Sequence, residues 1–242
     1  MAGLWKWKSF LALLSCSLFF GLIYFTPYFQ GTLIKIDNIM FTKIFKLFKH
    51  SHYLQTIFVL ASHGYSYIIF FSLAILLWLS SIKNTPSHLV LHKIAEFIFS
   101  ILMVFVTVYG LNYLLFHSYL HFSRPNPQQP HLFSQVLIQV YDWIHHNNPK
   151  SYFTPNLFST IVLGFLTSSL ICLNFQRKCI AILISLYFLF PSLLFGHLGI
   201  TDLLLGSSSL ILWMTAMSFY TPAYYFLTHL ITDWILFIKN QF

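Results

Sequence analysis

Gly196-His197-Leu198-Gly199-Ile200-Thr201-Asp202-Leu203-Leu204-Leu205-Gly206 leads directly into an apolar run, 203–220. A helix needs about 20 mostly apolar residues to cross the hydrocarbon core of a membrane. The stretch therefore reads as a polar loop turning into a spanning helix. Five further runs of that kind lie upstream, at 10–29, 54–80, 94–116, 157–174 and 179–198. The tail, 222–242, is a seventh short span or an interfacial helix, and Asp233 and Lys239 favour the interface.

Composition agrees with this reading. The chain has 242 residues, 57% of them hydrophobic and 7% charged. A soluble domain carries about 25% charged residues. The fold expected is all-α: a polytopic bundle of six transmembrane helices, or seven, with amphipathic helices at the interface. Phe alone accounts for 28 residues, with 14 Tyr and 6 Trp. Such aromatics pack helices and sit at the membrane–water boundary. The formal charge of +8 points to anionic headgroups and topology before nucleic acid. Cys16, Cys172 and Cys179 lie in or beside apolar runs without a C-x-x-C and read as small packing residues. The N-terminal run lacks a small-x-small cleavage site and reads as an uncleaved first span.

Three zones follow: 1–53, the first span with a basic amphipathic segment; 54–220, a helical core with a long loop at 117–155; and 221–242. In the first zone Lys43, Lys46 and Lys49 repeat every third residue among aromatics. That is the pattern of a helix lying on anionic lipid. In the long loop, 131–146 reads as a second amphipathic helix bounded by Pro125, Pro127, Pro130 and Pro149. Loops of this length are commonly functional, so Tyr141 and Trp143 become candidate contact residues. With the N-terminus inside, Lys6, Lys8, Lys83, Lys93, Arg177, Lys178 and Lys239 are cytoplasmic, and Lys35, Lys43, Lys46, Lys49, Arg124 and Lys150 are not. The bias is slight, but it favours the N-terminus in the cytoplasm and the long loop in the periplasm.

Three fragments keep an order: His117-x6-Arg124-Pro125, Pro155-Asn156-Leu157-Phe158 and Gly196-His197-x4-Asp202-x3-Gly206. They resemble the three motifs, K-x6-R-P, P-S-G-H and S-R-x5-H-x3-D, of the integral-membrane branch of the type-2 phosphatidic acid phosphatase superfamily. The resemblance covers about 54–209 and implies six spans. In that family cations neutralise the phosphate, one histidine attacks phosphorus, an aspartate orients it and a second histidine protonates the leaving alkoxide.

This sequence keeps Arg124, Pro125, Pro155, Asp202 and Gly206 of the pattern. His117 stands where the lysine belongs, and Phe158 where the acid belongs. Ser192 replaces an arginine and Leu198 the nucleophile. His197 is one residue early, which on a helix is a rotation of about 100°. The resemblance therefore implies a phosphatase-like frame with eroded chemistry. It implies an anionic or phosphorylated lipid, of lipid A or undecaprenyl type, held by His117, His121, Arg124 and Asn156. His197 and Asp202 are the remnant of the catalytic pair. A partner, such as a soluble hydrolase, would then do the chemistry, with no cofactor and no metal, in a bacterial inner membrane.

Plainer readings stand beside these. Arg124 could snorkel to the interface. His117 and His121, four residues apart, could be polar caps or metal ligands. Asp202 could be an N-cap. Other function classes are an active phosphatase using the shifted His197, a di-iron hydroxylase suggested by His88/His92, His117/His121 and His145-His146, and a transporter. For the last, Glu96 is the intramembrane charge and His92 its natural partner.

Overall fold

The computed structural model describes residues 6–48, 66–119, 123–125, 151–153, 156–194 and 199–239. Helix α1 is Trp7–Phe25 and α2 is Pro27–Phe48. Next come α3, Ser66–Lys83, and α4, Val90–Phe105, prolonged in wider π-helical form over Val106–Tyr119. Helices α5 and α6 are Leu157–Cys172 and Phe175–Leu194. Helix α7 is Asp202–Phe219, π-helical over its first six residues, and α8 is Ala223–Lys239.

Among the described residues three helices are long and apolar enough to cross a membrane: Trp7–Phe25, Ser87–Leu114 and Asp202–Phe219. Tyr67–Lys83, Leu157–Cys172 and Ala223–Ile238 are apolar but shorter. The chain is thus a helical protein of the kind that membranes hold. Within the described residues one element departs from an all-α fold. Strands β1, Ser123–Pro125, and β2, Ser151–Phe153, pair antiparallel with Arg124 opposite Tyr152. This ribbon closes the two ends of the long loop. The helix expected at 131–146 lies outside the described residues.

The first span stops earlier than residue 29. Thr26 is extended, with φ −74° and ψ 124°, and Pro27 opens a new helix. Proline lacks the N–H that a continuing helix needs, and it disfavours helical geometry at the residue before it. The basic stretch over 41–48 is therefore the last part of the long helix α2, not a separate segment. The buried face of α2 is Leu33, Asp37 and Phe41, each four residues apart and so stacked on one side. Lys35, Lys43 and Lys46 are exposed.

Helix α1 packs along α7, α4 against α8, and α5 against α6. The main core is aromatic. The Phe70 ring meets Phe158, Phe165 and Phe188 edge-on at centroid distances of 5.9, 5.4 and 5.3 Å. Edge-to-face geometry sets the positive ring edge against a negative ring face. This core fixes α3, α5 and α6 together. A second cluster, Phe99, Met214 and Phe219, joins α4 to α7, with Tyr224 of α8 packed against it.

Candidate functional site

The start of α7 is a point of convergence. Asp202 is completely buried, and its carboxylate reaches two other helices. One oxygen accepts from the Tyr24 hydroxyl of α1. The other accepts from the backbone N–H of Asn156, 3.0 Å away, at the entrance to α5. A buried carboxylate is tolerated only when its oxygens are hydrogen-bonded, because desolvation otherwise disfavours the charge. Asp202 is thus a clamp between helices. It lies inside its own helix, one residue past the N-cap position, which Thr201 holds.

Two glycines make this approach possible. A Cβ on Gly206 would lie 2.7 Å from Cζ of Tyr24, closer than carbon atoms tolerate, so only glycine lets the tyrosine reach Asp202. A Cβ on Gly199 would lie 2.5 Å from Oδ2 of Asp37. Asp37 is the second buried carboxylate here. It accepts from the Thr201 N–H at 2.8 Å and the Thr201 hydroxyl at 2.7 Å. Adjacent residues of one helix start, Thr201 and Asp202, are therefore tied to α1, α2 and α5 at once.

Asn156 caps α5: its Oδ1 accepts from the Ser159 N–H at 3.1 Å. With its backbone N–H given to Asp202, the amide Nδ2 has no partner among the described residues. The polar layer continues inward. Ser159 and Ser207 hydroxyls lie 2.6 Å apart, and Asn112 Nδ2 donates to Thr160 Oγ1 at 2.9 Å. A helix N-terminus carries partial positive charge. The entrance of α5 meets the carboxylate of Asp202, so the protein supplies one anion to that site itself.

Of the residues singled out by the sequence, the structure joins two directly, Asn156 and Asp202. Arg124 stands in β1 opposite Tyr152 of β2, which precedes Asn156 by four residues in the chain. His117 lies on α4, two residues before its end. His121, His197, Lys49, Tyr141 and Trp143 lie outside the described residues. Lys43 and Lys46 are exposed on α2. Phe158 is in the aromatic core, its ring centroid 4.6 Å from that of Tyr67, and only 9% exposed.

Tyr24, Asp37 and the Thr201 hydroxyl were not among the expected residues. Asp37 had a signal: a lone acid inside an otherwise apolar helical face. Tyr24 had none, being one tyrosine among fourteen.

A second polar cluster occupies the opposite end of α5, about 24 Å away at 1.5 Å per residue. Lys93 Nζ lies 2.6 Å from Glu96 Oε2, and the Tyr224 hydroxyl donates to Glu96 Oε1 at 2.6 Å. His92, expected as the partner of Glu96, is there at 3.5 Å, but Lys93 is closer. Lys93 also donates to the carbonyl of Cys172, the last residue of α5.

Searches of protein-family models, of curated proteins and of solved structures give no match for this chain.

Proposed function

We propose that the chain is a six-span membrane protein, with α8 as a seventh short span or an interfacial helix, that binds an anionic lipid without hydrolysing it. The lipid is of lipid A or undecaprenyl phosphate type. Its headgroup is held by Arg124 and Asn156, with His117 and His121 beside them. The membrane is a bacterial inner membrane, the N-terminus is cytoplasmic and the long loop periplasmic. The chain serves as the membrane subunit that presents lipid to a soluble hydrolase, which docks on the 126–150 segment through Tyr141 and Trp143.

One observation carries this reading. Two fragments far apart in sequence meet, Asn156 at the start of α5 and Asp202 at the start of α7, and the strand that carries Arg124 pairs with Tyr152, four residues before Asn156 in the chain. Arg124 supplies the fixed charge, and Asn156 Nδ2 supplies a donor. The burial of Phe158 in an apolar core speaks against hydrolysis, because a leaving alkoxide needs an acid and phenylalanine has no proton to give.

The test is lipid retention by the full chain in mixed micelles with undecaprenyl phosphate, lipid A or phosphatidylcholine. Removal of one charge-assisted contact costs about 1.5–3 kcal/mol, so Arg124→Ala should weaken retention of the two phosphorylated lipids roughly tenfold or more. Equal retention of all three lipids, or no change in Arg124→Ala, would overturn the proposal. Replacement of 126–150 by a Gly-Ser linker should abolish co-purification of a hydrolase while leaving lipid retention intact.

A further inference from the structure

Helices α3 and α4 form an antiparallel hairpin joined by the short segment 84–89. Between its arms, floored by α5, runs a groove of about 510 Å³. Trp78 and Phe97 lie near the closed end of the hairpin, and Phe71 and Tyr109 toward the open end. The lips are apolar and exposed: Ile75 by 44%, Ile101 by 53% and Phe105 by 56%. From Phe97 to Tyr109 the groove follows α4 for about 18 Å, against a depth of roughly 15 Å for one leaflet's hydrocarbon. A groove of that length, reached across apolar lips, fits one extended hydrocarbon chain.

Two further features say what kind of molecule owns the chain. The first is Ser168 on the floor. It is 1% exposed, and like those of Ser169 and Ser185 its hydroxyl has no hydrogen-bond partner among the described residues; of the three, Ser168 lines the groove. Most buried polar atoms are paired, so an unpaired hydroxyl lining a cavity marks an acceptor the ligand would bring. Ser168 lies one turn of α5 before Cys172, whose carbonyl holds Lys93. The second feature is charge. Lys83 ends α3 exposed, His88 is exposed in the joining segment and His92 is exposed at the start of α4. Lys93 stands 5.9 Å over the Trp78 ring, which itself lines the groove. Arg177 of α6 joins this end by donating to the Ser80 carbonyl at 2.8 Å. Among the described residues Glu96 is the acid of this end, and Lys93 already pairs with it.

We infer that the α3–α4 groove holds one acyl chain of an anionic diacyl phospholipid. The lipid's phosphate rests on the basic end of the hairpin at Lys83 and His92, and an ester carbonyl accepts from the Ser168 hydroxyl. This site faces the leaflet opposite the one proposed above for the Arg124 end. It needs the chain to lie in a membrane but does not depend on the Arg124 site. In the orientation with the N-terminus inside, it faces the cytoplasmic leaflet, which carries anionic lipid.

The experiment uses the full chain carrying Arg124→Ala, so that the first site is disabled, and native mass spectrometry from micelles containing phosphatidylglycerol or phosphatidylcholine. One phosphatidylglycerol per chain should survive, in preference to phosphatidylcholine. Ala74→Phe fills the groove and should cut retention of both lipids at least about fivefold. Lys83→Gln should remove the preference and leave chain binding. Ser168→Ala should weaken an ester-linked phosphatidylglycerol about fivefold and leave its ether-linked analogue unchanged, as expected for one lost hydrogen bond. The ester–ether contrast keeps the test independent of folding, because a damaged bundle would lose both analogues alike. Equal retention of the two headgroups by the Arg124→Ala chain, or unchanged retention in Ala74→Phe with native helicity, would overturn the inference.

Discussion

The two ends of α5 hold polar side chains in opposite ways. At its start, Asp202 and Asp37 are buried and clamped by hydrogen bonds from Tyr24, Asn156 and Thr201. At its finish, Glu96 is answered by a cation, Lys93, with His92 half exposed beside it. The first arrangement needs glycines at fixed positions. The second uses two long, mostly buried side chains, with His92 reaching water beside them. A carboxylate bound by uncharged donors fixes geometry. One paired with a lysine chiefly sets local charge. The difference separates an end built for shape, where distant sequence fragments are assembled, from an end built for cationic character.

Substitutions can break or sharpen that contrast. Asp202→Ala should have the largest effect, because it strands the buried Tyr24 hydroxyl and the partly buried Asn156 N–H, each costing about 1–3 kcal/mol. Thermal unfolding in detergent should show a loss of roughly 2–5 kcal/mol. A loss no greater than that of Glu96→Gln would erase the distinction between the ends. Gly206→Ala comes next, at about 1–3 kcal/mol from overpacking against Tyr24. Its partial rescue by Tyr24→Phe would show that the ring, and not the helix backbone, feels the added methyl. Glu96→Gln should cost about 1 kcal/mol, because the amide oxygen can still accept a hydrogen bond while the charge is lost. A larger loss in 0.5 M salt than in low salt would contradict a contribution from charge. Lys43→Gln with Lys46→Gln should be the mildest. Unfolding should stay where it is, while adsorption to phosphatidylglycerol vesicles falls. A shift in unfolding temperature would mean that these exposed lysines brace the fold.

Much of this was legible in the sequence because hydrophobic run length is a strong signal. The runs at 10–29, 94–116, 157–174 and 203–220 correspond to α1, α4, α5 and α7, with ends shifted by a few residues. Lys83, Lys93 and Arg177 were expected on one side, and the fold brings them to one end of the bundle. His92 beside Glu96 followed from a spacing of four on a helix. The break at Thr26-Pro27 was visible as a proline, but the apolar residues after it masked the start of a new helix. Asp202 as an interhelical clamp was hidden, since an acid before an apolar run looks like a cap, and only the partner helices decide. The ribbon was hidden for a different reason. Ser123–Pro125 and Ser151–Phe153 are short, and no hydrophobic alternation announces pairing across such a gap. Tyr24 reaches Asp202 through contacts between residues 178 positions apart, which no local pattern encodes.

The claim that matters most is that this chain binds a phosphorylated lipid but does not cleave it. Inorganic phosphate released from undecaprenyl phosphate by the purified full chain, without any added protein, tests it most directly. The account predicts no release above the lipid-only control, in wild type and His197→Ala alike. Turnover by the wild-type chain that disappears in His197→Ala would contradict it.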